Sequence, residues 1–482
     1  MTVGNDITLR KVVPILGVPD ALVPLPLPTS ELSLLPGETL ALWLSIDVPR
    51  SQPPGHYECE VYIWAVHRDT ESAPMDVNGG EVRTTNAWKK RVQSCLERVD
   101  KADRTSLPDL IATVEEMRGA FSELMSPEIS ETNSKEHILA PVEDMFGQTL
   151  SEAMCLKIGL NVWDWTLPLT PSLPAVIGVS ETVIEDRFGL EHGSDDWFKA
   201  LDMHFQWLLQ YKISPYFCRW GDGMSVITYT CPWRASNPKS EEYYGDPRLG
   251  AYALPFQPIG TSGEEEAEEV LKKELEILKE KPHWKKAYFY LWDEPLSTEH
   301  YQRIREMATK IKAIAADARI LTTYYCVSGH LEDAKNWQKE LWASFTATRM
   351  RSGGLMWRAW KEGGTGFLYW GANCYERAFT PAAEIRFRPG LPPGDGVLFY
   401  PGEVFNPDST TPVASVRLER ILSSLQDYEY LELYSARHGR ASALDLIEKT
   451  GLYSGPERYT LEHAPVEMMR TEVARSLTEL QQ

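Results

Sequence analysis

Residues 287–295 read AYFYLWDEP, six apolar or aromatic residues running into Asp293 and Glu294 and halted by Pro295. An unbroken apolar run without period-two alternation suits a strand covered on both faces, as the strands of parallel sheets are. Downstream, Tyr301, Ile304, Met307, Ala308, Ile311, Ile314 and Ala315 recur at helical spacing, and residues 319–325 (RILTTYY) read as another strand. That is a β-α-β unit with the two acids at the carboxyl end of its first strand. In barrels and open sheets built from such units, reacting groups lie where strands hand over to the following loops.

The chain has 482 residues, 43% of them hydrophobic, enough for two or three domains with real cores. A formal net charge of -20 disfavours nucleic acid or an anionic membrane as partner, because a polyanion is repelled at long range. Neutral ligands escape that argument, and a homo-oligomer is compatible with it. The seven cysteines, at 59, 95, 155, 218, 231, 326 and 374, form no C-x-x-C pair and read as reduced thiols. The first residues, MTVGNDITLR, lack a basic head followed by an apolar core, and no segment reaches the ~18 apolar residues of a membrane helix. The expected location is cytoplasmic, or secreted if a leader has been removed.

The amino-terminal part reads as β. Leu40, Leu42, Leu44, Ile46 and Val48 alternate with other residues, SQPPG makes a turn, and Tyr57, Cys59, Val61, Ile63 and Ala65 continue the period. This predicts an antiparallel hairpin within a β-sandwich. From Trp88 the period becomes helical, predicting a helical insertion over about 87–125, and residues 156–168 read as the returning last strand. The proline-spaced TLPLTPSLP then reads as a linker. The expected organisation is a β-sandwich domain with its insertion over 1–170, a catalytic domain over 171–412 and a carboxyl-terminal helical segment over 413–482.

Over 171–412 strands and helices alternate. Residues 194–211 predict a helix with Ser194 as N-cap, 215–220 (PYFCRW) and 250–256 predict strands, and 264–280 predict a helix for which Thr261 and Ser262 have capping-box spacing. A helix over 331–341 and strands at 343–348, 366–370 and 397–400 follow. The alternation predicts a (β/α)8 TIM-like barrel, complete or incomplete.

Aromatic residues gather at the predicted strand ends: Trp220, Tyr324, Tyr325, Tyr369, Trp370, Tyr375 and Tyr400. Aromatic faces stack on the apolar faces of pyranose rings while acids and amides take the hydroxyls. An isolated Asp-Glu dipeptide is ordinarily a solvated helix start; here it follows a buried strand. Two glycosidase carboxylates usually stand about 5 Å apart for retention or roughly 6.5–9.5 Å for inversion, geometries that sequence neighbours seldom meet across a glycosidic bond. Neighbours suit substrate-assisted hydrolysis better. In that scheme the sugar's 2-acetamido oxygen attacks the anomeric carbon, ionised Asp293 orients the acetamide N–H, and protonated Glu294 serves as acid and then as base. Tyr325 is the candidate to hold the acetamide carbonyl.

YLWDEP, GFLYWGANCY (366–375), GDGVLFYPGE (394–403) and SVRLERILSSLQDYEYLELY (415–434) resemble the domain-of-unknown-function-4091 proteins, which belong with glycoside hydrolase family 123, the retaining β-N-acetylgalactosaminidases. The resemblance covers roughly residues 35–66 and 155–435. It implies a β-sandwich followed by a barrel, a glycan with terminal β-linked N-acetylgalactosamine as partner, and catalytic roles for Asp293 and Glu294, with Asp293 assisting the acetamide.

Trp370, Asn373, Trp220, Asp222 and Tyr324 are further candidates for binding sugar. Glu403, in YPGEVF, is the alternative second carboxylate, and a conventional glycosidase would pair Glu294 with Glu403 or Glu376. A non-catalytic carbohydrate-binding protein is the other rival. Residues 427–430 (DYEY) lie in a predicted helix and read as structural. No histidine pattern matches a metal motif, so neither metal nor other cofactor is expected.

Overall fold

The computed structural model describes residue 1 and residues 4–34, 39–67, 149–220, 226–256, 263–323, 355–374, 394–455 and 458–478, without the side chains at 64–67, 149–154, 220 and 226. The expected insertion over 87–125, the helix over 331–341 and the strand at 343–348 lie outside them. The chain forms two compact units, Met1–Lys11 with Pro24–Asp164, and Val12–Val23 with Trp165–Gln482. It is a mixed α/β chain.

In the first unit, Ile7–Lys11 of β1 (Ile7–Ile15) pairs antiparallel with β3 (Leu42–Ile46), Leu9 facing Leu44; most of β2 (Val18–Leu25), the strand after β1, belongs to the second unit. The long strand β4 (Gly55–His67) pairs antiparallel with β5 (Thr149–Val162), from Gly55 opposite Val162 to His67 opposite Thr149. The hairpin expected across SQPPG is therefore corrected, since the strands on either side of it join different sheets. Alternation marks a half-buried strand but leaves its partner open, and a two-proline connection supplies no N–H to hold a tight hairpin.

The second unit alternates strand and helix. β6 (Ala175–Ser180), entirely buried, leads into α1 (Glu181–Phe188), where Ser180 caps the helix by accepting from the Val183 N–H. Helix α2 (Asp195–Leu209) starts on Ser194, whose hydroxyl accepts from the Trp197 N–H, as expected. β7 (Ile213–Trp220), β8 (Val226–Tyr229), α3 (Lys239–Tyr244) and β9 (Tyr252–Ala253) follow. Helix α4 (Glu264–Leu278) has Gly263 before it in the left-handed region and no side-chain cap; Thr261 and Ser262 lie outside the described residues. Next come β10 (Ala287–Trp292), α5 (Thr298–Ile314), β11 (Ile320–Thr322), α6 (Leu355–Glu362) and β12 (Phe367–Tyr369). The antiparallel pair β13 (Phe399–Tyr400) and β14 (Val413–Ala414) precedes α7 (Val416–His438) and α8 (Arg440–Thr450). The short pair β15 (Tyr453–Gly455) and β16 (Arg458–Tyr459) leads to α9 (His463–Thr478).

Parallel pairing gives two runs, β12-β6-β7 and β9-β10-β11, with β8 antiparallel on β7. Hydroxyls join them. The Ser214 Oγ accepts from the Gly250 and Ala251 N–H groups at 2.8 and 3.3 Å. Thr230 donates to the Pro215 carbonyl at 3.0 Å and accepts from the Ala253 N–H at 2.9 Å. Side chains thus complete the bonding beside Pro215, which has no N–H.

The two faces of this sheet differ. Ala175, Ile177, Phe217, Tyr252, Phe289 and Leu291 pack under helices α2, α4 and α5 in the main core. Val176, Tyr216, Cys218, Ala251, Ala253, Tyr288 and Tyr290 form a separate cluster against which Leu321 and Leu368 pack. That cluster draws residues from β6, β7, β9, β10, β11 and β12, so these strands share one buried face opposite the helices. Among the described residues the strands do not close a ring.

Candidate active site

β6, β7, β10 and β12 make close contacts through Gly178, Tyr216, Tyr290 and Tyr369. Gly178 on β6 sets the spacing, because a Cβ there would lie 2.2 Å from the Trp370 carbonyl oxygen and 2.9 Å from the Tyr216 hydroxyl. Tyr216 donates to the Tyr369 carbonyl at 3.4 Å, and its ring meets Tyr290 edge-on at 5.9 Å between centroids. Burial pushes both phenols well above their ordinary value, and the charge of Asp293 adds to the shift of Tyr290. Both therefore hold their protons more firmly than an ordinary phenol.

Asp293 and Glu294 stand where β10 ends, both partly exposed. Asp293 Oδ1 accepts from the Tyr290 hydroxyl and from the Thr323 hydroxyl, each at 2.8 Å. The Thr323 oxygen in turn accepts from the Glu294 backbone N–H. Glu294 has φ 48°, in the left-handed region that non-glycine residues rarely occupy. Its carboxyl is pushed above the ordinary glutamate value by burial and then by the neighbouring Asp293 charge. One acid is thus dressed with hydroxyl donors while the other is set up to hold a proton.

The turn behind the pair is braced. Ser297 caps α5, and His300 Nδ1 accepts from the Leu296 N–H at 3.0 Å while the His300 ring lies 4.8 Å from that of Trp292. This fixes the His300 tautomer with the proton on Nε2.

Trp370 leaves β12 with its indole N–H on Asp395 Oδ1 at 3.0 Å, and the Tyr369 hydroxyl donates to the same oxygen at 2.8 Å. The indole lies against Gly396, where φ is 73° and a Cβ would come within 2.3 Å of the ring. Arg417 holds that loop from behind, donating to the Gly394 carbonyl and, at 2.8 Å, to Asp20 Oδ2. The Tyr400 hydroxyl also donates to Asp20.

The other expected site residues fall variously. Asn373 commits both ends of its amide to Ser180, accepting from its N–H at 2.8 Å and donating to its carbonyl at 3.1 Å, so it acts as a clamp between strand ends rather than a free sugar ligand. Glu403 forms an ion pair with Arg187, its Oε1 on Arg187 Nε. The backbone of Trp220 closes β7 opposite Val226. Its side chain, together with Asp222, Tyr324, Tyr325 and Glu376, lies outside the described residues. Asp427 and Glu429 are structural. Asp427 pairs with Arg470 at 2.7 Å and accepts from the Trp357 indole, while Glu429 takes both the backbone N–H and the hydroxyl of Ser172.

Sequence reasoning missed Tyr290, Thr323 and Asp395. The first two carried a readable signal: Tyr290 precedes Asp293 by three residues, and Thr323 falls at the matching end of the next parallel strand. Among the described residues, Glu181, Glu185 and His192 form the group whose ligand atoms, all within 4.8 Å of one another, could by spacing hold a metal ion. Arg219 already lies among them, pairing with both acids, and Tyr229 donates to Glu181, so the cluster carries its own cation.

Residues 307–434 match the family model described as glycoside hydrolase 123, catalytic domain; Asp293 and Glu294 precede the matched segment. No curated protein matches the sequence. Among solved structures, the chain is similar to a family 123 glycoside hydrolase from Clostridium perfringens, studied for glycolipid glycan hydrolysis. The TM-score is 0.55 at 12% identity, over 99% of this chain and 88% of that one. Residues 307–434 are thus similar to the family 123 catalytic domain, and the chain as a whole shares the fold of a family 123 glycoside hydrolase.

Proposed function

We propose that the chain is an exo-acting, retaining β-N-acetylgalactosaminidase that releases terminal β-linked N-acetylhexosamine with the help of the substrate's own acetamide. The unequal setting of two adjacent acids carries the reading: Asp293 receives two hydroxyl donors on one oxygen, and Glu294 is pushed toward its protonated form. The acetamide oxygen attacks the anomeric carbon while Glu294 gives its proton to the departing glycosidic oxygen. Asp293 accepts the acetamide N–H and offsets the positive charge that develops in the oxazoline-like intermediate. Glu294, now ionised, takes a proton from water as it opens that ring, and the two displacements retain the anomeric configuration.

The same reading takes the run of parallel strands as part of a (β/α)8 barrel, with a β-sandwich built on β1–β5 before it. Trp370, held edge-on by Asp395, is the stacking platform for the sugar. A glycan carrying terminal β-N-acetylgalactosamine, a glycolipid glycan among them, is the substrate class to try.

The test compares aryl β-glycosides of N-acetylgalactosamine, N-acetylglucosamine and galactose, with a thiazoline analogue of the oxazoline as inhibitor. Turnover of the acetamido sugars alone, blocked by the thiazoline, is expected. Comparable turnover of the plain galactoside, or release of the inverted anomer, refutes the mechanism. A conventional glycosidase pairing Glu294 with Glu403 would have to free Glu403 from Arg187.

A further inference from the structure

Two neighbouring carboxylates at one strand end raise the question of what keeps their roles apart. Thr323 touches both. A carboxylate oxygen can only accept and an amide N–H can only donate, so the Thr323 hydroxyl has one permitted orientation: its proton points to Asp293 Oδ1 and its lone pair to the Glu294 N–H. Tyr290 adds a second proton to the same Oδ1 from a phenol that is 3% exposed. Among the described residues none bonds to Asp293 Oδ2 or to the Glu294 carboxyl. The bond to the Glu294 N–H also restrains a residue whose φ of 48° has no glycine to ease it.

We infer that Thr323 and Tyr290 are positioning residues that divide the labour of the acid pair. By saturating Oδ1 they fix the orientation of the Asp293 carboxylate and leave Oδ2 for the substrate's N–H. Through the Glu294 backbone, Thr323 also aims the proton-carrying carboxyl. The inference rests on the substrate-assisted reading above. It adds a determinant outside the pair, on a different strand end, that governs which acid does what. Each hydroxyl removed leaves that oxygen one donor short and frees the carboxylate to rotate.

The experiment uses the full chain and an aryl β-N-acetylgalactosaminide, with Thr323→Val, Thr323→Ser and Tyr290→Phe beside the parent. Thr323→Val is expected to lower kcat by about 10- to 100-fold, the scale of a misplaced acid-base group. It should leave KM within about threefold. Tyr290→Phe should lower kcat in the same way, and Thr323→Ser should restore the rate. Variants that melt with the parent and keep its kcat overturn the inference, as does a loss of rate in Thr323→Val that Thr323→Ser fails to rescue.

Crystal structures of the parent and Thr323→Val give a readout independent of turnover. A rotated Asp293 carboxylate is expected, and unmoved Asp293 and Glu294 refute it. Asp293→Asn separates the two levels. If it keeps full activity, the acetamide reading fails; if it is inactive while Thr323→Val behaves as the parent, only the present inference fails.

Discussion

Gly178→Ala tests how tightly the interior dictates the position of Trp370. The added Cβ would lie 2.2 Å from the Trp370 carbonyl oxygen, 3.0 Å from its carbonyl carbon and 2.9 Å from the Tyr216 hydroxyl. To reach an ordinary contact the carbonyl must retreat by about 1 Å, since packed interiors leave no slack of that size. It is a backbone atom beside the β6–β12 ladder, in which Tyr369 faces Ile177, and Ala372 donates to the Gly178 carbonyl at 2.8 Å. Neither strand can yield alone, so the cost belongs at the upper end of overpacking, about 3 kcal/mol. In a unit of this size that lowers the melting temperature by about 5 °C or more. Scanning fluorimetry and kinetics on an aryl substrate provide the assay, with Gly366→Ala as control, because a Cβ there meets only the Pro174 carbonyl at 3.6 Å. KM should rise in Gly178→Ala and stay put in the control. If the two variants melt within a degree of each other and bind substrate alike, the argument that Gly178 fixes the Trp370 platform is wrong.

Two further variants give three outcomes. Glu294→Gln should cut kcat by about 10²- to 10⁴-fold on substrates with poor leaving groups and far less on activated aryl ones, as measured across a leaving-group series. The same variant carries a stability signature. Because folding raises the Glu294 pKa above 4.5, the stabilisation it contributes is complete below that value and is lost as pH climbs through the raised one. Melting of Glu294→Gln should therefore exceed the parent at neutral pH, with the gain vanishing near pH 4; a constant difference across that range would contradict the shift. Asp427→Asn should lower the melting temperature by loosening Arg470 and Trp357 while leaving kcat/KM within about twofold.

How much the sequence reveals depends on what each signal encodes. The apolar run at 287–292 and the helix behind it are strong local patterns, and both appear where the periodicity puts them. β6 is different. Residues 175–180 follow a proline-spaced stretch that reads as a linker, yet AVIGVS is a fully buried strand that joins β12 to β7. The β4–β5 pairing spans about ninety residues of chain, and alternation alone carries no information about a partner at that distance. Within the site, the acids announce themselves by type and position. Asn373 looks like a ligand by type and acts as a backbone clamp, because composition cannot tell an amide that binds solute from one that closes its own strand ends.

The bond from Arg417 to Asp20 bears on any shortened version of this protein. Asp20 belongs to the opening β-hairpin, a segment easily trimmed when a catalytic region is cloned alone. Its side chain anchors the guanidinium that grips Gly394, two residues from the glycine on which the Trp370 indole rests. A truncation starting after residue 23 would leave that cation without its counter-ion and slacken the loop beneath the indole. Such a fragment would also uncover Val397, Tyr400 and Val413, which pack against Ile15 and Ala21, so its behaviour would not report on the full chain.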